Sequence, residues 1–146
     1  MGDTRLNLQI YDAPFKEPVL ARFASDGTLK MLAYLVLLND PAPGSFIGIE
    51  EPENQLHPLL LSHLAEEFHK ATNRTQLLVT THSPALINEA KPEEVFSIFR
   101  GEDGYTKAER LSDIEELKGF LEEKIPLGDL WMENFVPNSD PVTYSR

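Results

Sequence analysis

The sequence predicts an α/β fold in which a parallel sheet is flanked by helices. Two short apolar runs, Phe46–Ile49 and Gln76–Thr80, have the length and composition of buried strands. A helical pattern from Pro58 to Thr72 separates the two runs, and a second one, Ser83–Ala90, follows them. Because strand–helix–strand order favours parallel strands with right-handed crossovers, we expect the two strands to be neighbours whose carboxyl ends share one edge of the sheet.

The helices are supported by apolar spacing and by capping residues. Within the helix between the two strands, Leu60, Leu64 and Phe68 recur every four residues and form one stripe. An earlier helix is predicted over Thr28–Asn39, where the residues are strong helix formers with apolar side chains at Leu29, Met31, Leu32, Leu35 and Leu38. Ser25, followed by an aspartate, supplies N-cap chemistry just before that helix.

The remaining strands are predicted from alternation and from turn residues. Residues 5–11 alternate apolar and polar side chains, and residues 19–23 form a second short strand pattern. Residues 95–100 and 105–111 flank a segment that begins and ends with glycine. Glycine supplies the backbone freedom that a tight turn needs, so this pair is predicted to be a hairpin.

Two acidic helices, over residues 113–123 and 127–135, are predicted to end the folded part of the chain. Proline, asparagine and serine then cluster, and residues 137–146 are expected to form a flexible tail. The length of 146 residues suits one domain with a proper core. We therefore expect residues 1–136 to form a single domain.

Composition narrows the classes of function. A formal net charge of −11 argues against a large nucleic-acid footprint, so any contact with DNA is expected to come from other segments. The chain has no cysteine, which excludes disulfide and thiolate chemistry. It has no apolar run of about 20 residues that would span a bilayer and no visible secretory signal. These features predict a cytoplasmic protein without membrane contact.

Glu50 and Glu51 follow the first buried strand directly, and Pro52 ends that strand. In a parallel sheet this edge is where ligands usually bind. One carboxylate there suits a hard cation such as Mg²⁺, which needs oxygen ligands, and its neighbour can orient or deprotonate an attacking water. The alternative is a pair of solvated charges at the start of a loop.

His82 follows the second strand in the same way. A neutral imidazole there could hydrogen-bond a phosphate or an attacking water, whereas the alternative is a capping or core histidine. Ser83 and the proline after it are placed to begin the next helix. The other histidines, His57, His63 and His69, are spaced six residues apart and do not share a helix face, so no zinc site is predicted.

Ser25 and Gly27 lie where the Thr28–Asn39 helix begins. A serine hydroxyl and a glycine amide at a helix N-terminus could grip a phosphate. An ordinary turn with an N-cap explains the same residues. The sequence contains no G-x-x-x-x-G-K-[ST], the loop whose backbone amides cradle phosphates. The chain therefore has the features of half of a phosphate-handling site.

Taken in order, these motifs resemble the C-terminal half of an ABC-type ATPase of the RecF/SMC/OLD-like group, in which Glu-Glu-Pro-Glu is often followed by Leu-His-Pro. Residues 24–28 resemble the signature motif, and residues 46–51 resemble the Walker B strand. Residues 54–58 resemble the D-loop, and His82 resembles the switch histidine. The resemblance covers about residues 20–90. It implies a P-loop NTPase-like fold that lacks its Walker A lobe.

The resemblance implies a role for each motif. Glu50 takes the position, usually an aspartate, that coordinates Mg²⁺ through water, and Glu51 takes that of the catalytic carboxylate. Asn54 belongs to the D-loop. Ser25 and Gly27 would face ATP bound by a second copy, since two such ATPases sandwich the nucleotide between them. ATP and Mg²⁺ would bind only after a Walker A-bearing lobe completes the site, so the isolated chain is expected to be inactive.

The resemblance implies an ATP-driven protein of DNA repair or defence that forms homo-oligomers. A membrane transporter's ATPase subunit is a weaker variant. The second class of function is an interaction or regulatory module that dimerises without ATP turnover, which the missing phosphate loop supports. A metal-dependent nuclease or phosphatase built on Glu50 and Glu51 would need further Asp or His ligands. A sheet without its first strand should also leave apolar surface uncovered, which predicts self-association.

Overall fold

The computed structural model describes residues 8–11 and 16–139. Within them the strands are β1 (Gln9–Ile10), β2 (Val19–Leu20), β3 (Phe46–Glu50), β4 (Gln76–Thr80), β5 (Phe96–Arg100) and β6 (Thr106–Arg110). The helices are α1 (Asp26–Leu38), α2 (Leu61–Ala71), α3 (Pro84–Ile87), α4 (Lys118–Glu122) and α5 (Leu127–Met132). In the described part of the chain, no helix has both the length and the hydropathy needed to cross a membrane.

The strands form three pairs. β1 and β2 are antiparallel, as are β5 and β6, whereas β3 and β4 are parallel and in register from Phe46 opposite Gln76 to Glu50 opposite Thr80. The parallel pair confirms the expectation that the two apolar runs are neighbours. Helix α2 supplies the crossover between them, as the strand–helix–strand order predicts.

The first hydrophobic cluster lies between the inner face of β3–β4 and the helices α1 and α2. Its buried members come from α1, α2, α3, β3 and the turn after β3, and they are Leu38, Ile49, Leu56, Leu61, Leu64, Ala65, Phe68, Ala71 and Leu86. Leu64 is fully buried at 0% exposure. Leu64 and Phe68 of the predicted stripe are buried on α2, whereas Leu60 lies in the 3₁₀ turn that precedes the helix and is only partly buried.

A second cluster lies beneath the hairpin and the C-terminal helices. It consists of Leu111, Ile114, Leu117, Leu127, Leu130 and Val136. The two clusters meet where α3 packs on α5: Leu86 belongs to the first cluster, whereas Ile87 packs against the second. The contact is close because a Cβ on Gly128 would lie 2.2 Å from the Pro84 carbonyl oxygen.

Several element boundaries differ from the sequence prediction. α1 begins at Asp26 rather than Thr28, because Ser25 accepts a hydrogen bond from the Thr28 amide and caps the helix two residues earlier. The second strand is only Val19–Leu20, since the chain then turns into a 3₁₀ segment. Of the strand predicted over residues 5–11, Gln9–Ile10 is present, while residues 5–7 lie outside the described residues.

The C-terminal helices are shorter than predicted. The helix expected over 113–123 is divided: 3₁₀ turns over 111–113 and 115–117 precede α4, because Ile114 is extended and buried between them. The helix expected over 127–135 ends at Met132, and Asn134 has a left-handed φ of 59°. The predicted tail falls on residues 137–146, of which 140–146 lie outside the described part of the chain.

Candidate functional site

The carboxyl ends of β3 and β4 bring the two ionisable segments of the sequence together. Glu50 is the last residue of β3 and pairs with Thr80. The Glu51 amide extends the ladder by one hydrogen bond, donating to the Thr80 carbonyl oxygen at 2.9 Å. His82 lies two residues beyond Thr80. Glu50, Glu51 and His82 are therefore presented at one edge of the parallel pair.

Glu51 and His82 face each other across this edge. His82 Nε2 lies 3.7 Å from Glu51 Oε1, and the two side chains are 80% and 41% exposed, respectively. The other oxygen of Glu51 accepts a hydrogen bond of 2.7 Å from the Asn54 side-chain amide. A separation of 3.7 Å is too long for a direct hydrogen bond, but a water beside the line between the two atoms can reach both. The pair can thus hold a small polar reactant from two sides.

The turn that follows β3 has unusual backbone geometry. Glu51 and Gln55 have positive φ angles of 42° and 66°. Such angles are costly for residues with a Cβ and persist only where surrounding contacts enforce them. The Asn54 amide donates to the Glu51 carbonyl, and Pro52 and Leu56 are buried beneath the turn. These contacts fix the direction in which the Glu51 carboxylate points.

The start of α1 packs directly on this turn. Lys30 donates from Nζ to the carbonyl oxygens of Asn54 at 2.8 Å and of Glu51 at 3.4 Å. One turn earlier, a Cβ on Gly27 would lie 2.5 Å from the Gln55 carbonyl oxygen, so only glycine fits there without movement. The residues that resemble the signature motif are therefore joined to the turn that carries Glu51.

Glu53 links the same turn to the segment after β4. Its Oε1 accepts hydrogen bonds from the Thr81 hydroxyl at 2.7 Å and from the His82 amide at 2.8 Å. Thr81 Oγ1 in turn accepts from the Ser83 amide at 2.9 Å. Burial alone would raise the pKa of Glu53, but the bonds from Thr81 and His82 outweigh it and lower that pKa below its ordinary value. Glu53 is therefore ionised at neutral pH.

The structure places the other predicted site residues as follows. The Glu50 side chain is exposed at the strand end, on the outer face of β3–β4. Ser25 is exposed and its hydroxyl bonds Thr28, so its visible contacts are those of a helix cap. Ser83 likewise caps α3. No group of three or more His, Cys, Asp or Glu residues capable of holding a metal occurs among residues 8–11 and 16–139.

Two residues of this arrangement were not singled out from the sequence. Glu53 stands inside the Glu-Glu-Pro-Glu motif, yet its contact with the segment after β4 depends on the register of β3 and β4. Lys30 is the one basic residue between Asp26 and Leu38, and this isolation in a mostly apolar helix was an available signal.

Comparison with known proteins identifies the family. Residues 5–88 match the family model described as "AAA domain, putative AbiEii toxin, Type IV TA system". This region includes every element around Glu51 and His82 and more than half of the chain. A comparison with curated protein sequences found no significant match.

Solved structures support the same fold. One that matches comes from work on the "Structural biochemistry of ATP-driven dimerization and DNA stimulated activation of SMC ATPases". The TM-score is 0.61, with 18% sequence identity over 84% of this chain and 74% of that chain. An identity of 18% establishes the fold rather than the activity. The chain thus belongs to this AAA-domain family and has the fold of an ABC-type, P-loop NTPase-like ATPase domain.

Proposed function

We propose that residues 1–136 form one partial ABC-ATPase-like domain that hydrolyses ATP together with a lobe bearing the phosphate-binding loop. The observation that carries the proposal is the pairing of Glu51 and His82, 3.7 Å apart at the ends of adjacent parallel strands. Family membership supports it independently, because the match spans both strands. The sequence has no G-x-x-x-x-G-K-[ST], so the phosphate loop is assigned to a partner lobe.

In this proposal Glu51 acts as the general base. Its carboxylate is half-exposed and one oxygen is held by Asn54, which leaves Oε1 on the side that faces His82. An attacking water between them would give its proton to Glu51 while the imidazole of His82 fixes its position. Asn54 therefore contributes by aiming Glu51, in addition to its place in the D-loop.

Glu50 is the proposed metal ligand. Mg²⁺ commonly takes only one or two protein carboxylates and fills its remaining positions with water and phosphate oxygens. A single exposed carboxylate at a strand end fits that requirement. When bound, Mg²⁺ would neutralise charge on the phosphates of ATP. Glu50 would hold it on the outer face, next to the turn that carries Glu51.

Ser25 and Gly27 are proposed to serve the opposing site of a dimer. Ser25 is exposed at the N-terminus of α1, a helix of thirteen residues whose amide ends favour anions. Dimerisation driven by ATP is described for the SMC ATPases of the matched structure. We therefore expect a homo-oligomer of completed units in the cytoplasm, where ATP is available. The proposal includes a role in DNA repair or defence, and its support is that the matched structure's description mentions DNA-stimulated activation.

The test compares Mg-ATP turnover by the isolated chain with turnover by the assembly purified from native cells through a tag on this chain. Glu51→Gln should lower the assembly's turnover by about 100-fold or more, the usual contribution of a general base. Glu66→Gln, on the exposed face of α2, is the matched control and should change little. The isolated chain should not exceed its own Glu51→Gln variant. Full activity of the Glu51→Gln assembly would refute the assignment.

A second candidate is an interaction module that pairs without hydrolysis. The observation in its favour is the pair of exposed apolar side chains on the outer face of β3–β4, where Phe46 and Leu78 are 53% and 57% exposed. Under this alternative the native assembly would form but would not turn over ATP. The same purification therefore separates the two functions.

A further inference from the structure

Glu53 has contacts that the roles proposed above do not use. We infer that Glu53 is a positioning residue that holds His82 opposite Glu51. The inference rests on the proposed function of the Glu51–His82 pair. It is carried by the hydrogen bonds of one carboxylate, which reach across from the turn after β3 to the segment after β4.

A single oxygen of Glu53 organises three consecutive residues. Oε1 accepts from the Thr81 hydroxyl and from the His82 amide, at 2.7 and 2.8 Å. Thr81 Oγ1 accepts from the Ser83 amide at 2.9 Å, so the chain of hydrogen bonds that begins at the Glu53 carboxylate extends to Ser83. Ser83 then caps α3. The whole connection between β4 and α3 is thus tied to Glu53.

Among residues 8–11 and 16–139, no strand takes the place of Glu53 as hydrogen-bond partner of this segment. The last ladder bond of the parallel pair joins the Glu51 amide to the Thr80 carbonyl. Beyond Thr80 the described hydrogen bonds of the His82 and Ser83 amides go to Glu53 and Thr81. An anionic acceptor binds an amide more strongly than a neutral one does. Glu53 therefore substitutes for a strand neighbour just where His82 leaves the sheet.

The ring of His82 depends on this backbone anchor for its position. Its side chain is 80% exposed, so neighbouring residues contact little of it. Glu51, in contrast, is held by Asn54 through its side chain and by Lys30 through its carbonyl. Glu53 belongs to the same turn as Glu51, and it places the histidine relative to that turn rather than to the rest of the sheet.

The arrangement also has a cost. The other oxygen of Glu53, Oε2, is buried and has no hydrogen-bond partner among the described residues. Leaving a buried acceptor unpaired is unfavourable. A side chain kept only for stability would gain by satisfying both oxygens or by being apolar. The unsatisfied oxygen is consistent with a carboxylate that is retained for the position it gives His82.

The first experiment measures amide hydrogen exchange of the full chain by NMR. Glu53→Ala removes the acceptor, and the His82 amide should then exchange about tenfold faster or more, with a smaller increase at Ser83. Glu94→Ala is the matched control, because that carboxylate also accepts from a backbone amide, that of Lys91 at 2.9 Å. The control should leave both amides unchanged. Glu53→Gln keeps an acceptor oxygen and should restore most of the protection.

A second readout follows the side chains. Nuclear Overhauser contacts between the His82 ring and Glu51 should be present in the native chain and lost in Glu53→Ala. If Glu53→Ala does not fold, Thr81→Val removes the relay and should release the Ser83 amide while the His82 amide stays protected. Retained ring contacts in Glu53→Ala would overturn the inference. Equal acceleration along α2 would also overturn it, since that result marks general destabilisation.

Turnover by the native assembly then separates this inference from the proposed function. Glu53→Ala should lower kcat and leave KM for Mg-ATP unchanged, and Glu53→Gln should recover much of kcat. If the amides respond but the assembly has no ATPase activity, the proposed function fails and the structural placement of His82 stands. If the assembly is active and Glu53→Ala does not alter kcat, the positioning role in catalysis is refuted.

Discussion

The two faces of the β3–β4 pair differ in how their apolar side chains are covered. On the inner face Ile47, Ile49 and Val79 pack into the first cluster, covered by α1 and α2. On the outer face Phe46 and Leu78 are more than half exposed. Parallel strands are normally covered on both faces. The difference indicates that α1 and α2 complete one layer of the fold and that the outer face is available for another.

The same contrast separates the two ends of each strand. The amino ends of β3 and β4 lie near the close of α1, where Arg74 donates to the carbonyl oxygens of Leu38 and Asp40. The carboxyl ends bear Glu51 and His82, which are exposed and not joined by a direct hydrogen bond. One end is stabilised by internal contacts, and the other presents polar groups outward. This asymmetry agrees with an active site placed at the carboxyl edge.

The largest expected effect is a loss of stability, compared between a leucine buried beneath the inner face of β3–β4 and a leucine on its outer face. Leu64→Ala should lower the free energy of unfolding by about 2–5 kcal/mol, because Leu64 is fully buried beneath the inner face. Leu78→Ala should lower it by less than about 1 kcal/mol, since Leu78 is 57% exposed. Urea unfolding followed by circular dichroism measures both. Similar losses would show that the outer face is covered in solution.

A smaller effect is expected where the first cluster meets the second. Gly128→Ala should lower the free energy of unfolding by about 1–3 kcal/mol, because the added Cβ would overlap the Pro84 carbonyl. Gly119→Ala is the control, because nothing lies within 4 Å of its Cβ position. This substitution should raise the free energy of unfolding by about 0.5–1 kcal/mol, since alanine favours the helical conformation of α4 more than glycine does. Thermal unfolding of both variants checks the prediction. An unchanged midpoint in Gly128→Ala would mean that α3 and α5 separate easily.

The outer face should also govern association. We expect the isolated chain to self-associate, and Leu78→Lys should shift it towards monomer at high concentration with little change in unfolding midpoint. Ile98→Lys, at a residue of β5 that is 64% exposed, is the comparison outside the parallel pair and should have the weaker effect. Light scattering over a concentration series measures this. A monomer at every concentration would contradict the expectation.

The smallest effect concerns pH. The pKa of Glu53 is lowered in the folded chain, so its stabilisation is present above the ordinary glutamate value of 4.5 and is lost as pH falls through the folded pKa. The stability difference between the native chain and Glu53→Gln should therefore shrink on acidification. Thr81→Val, which removes the donor but keeps the carboxylate, should reduce the same pH dependence. Urea midpoints between pH 7 and pH 3 test it, and a constant difference would contradict it.

The parallel pair and its edge could be predicted because short-range patterns determine them. Apolar runs of strand length, separated by the amphipathic spacing of α2, specify neighbouring strands, and the structure places Glu51 and His82 accordingly. Ser25 as an N-cap follows from local hydrogen-bonding chemistry in the same way. These features need no knowledge of distant contacts.

Other features depend on tertiary contacts and could not be predicted. Ile114 interrupts an otherwise acidic helical segment because its side chain is buried in the second cluster, at 3% exposure. The Glu53 contacts with Thr81 and His82 join residues almost thirty positions apart and require the register of the pair. Helix propensity and charge patterning contain no information about either.

The contacts of Lys30 and Gly27 have a mechanical consequence. Lys30 reaches two carbonyls of the turn after β3, and Gly27 leaves no gap between α1 and that turn. A rotation of α1 about its own axis must therefore break both hydrogen bonds or carry the turn with it. The helix and the turn are therefore expected to move together as one rigid unit. Any force applied at the exposed end of α1 would be transmitted to the orientation of Glu51.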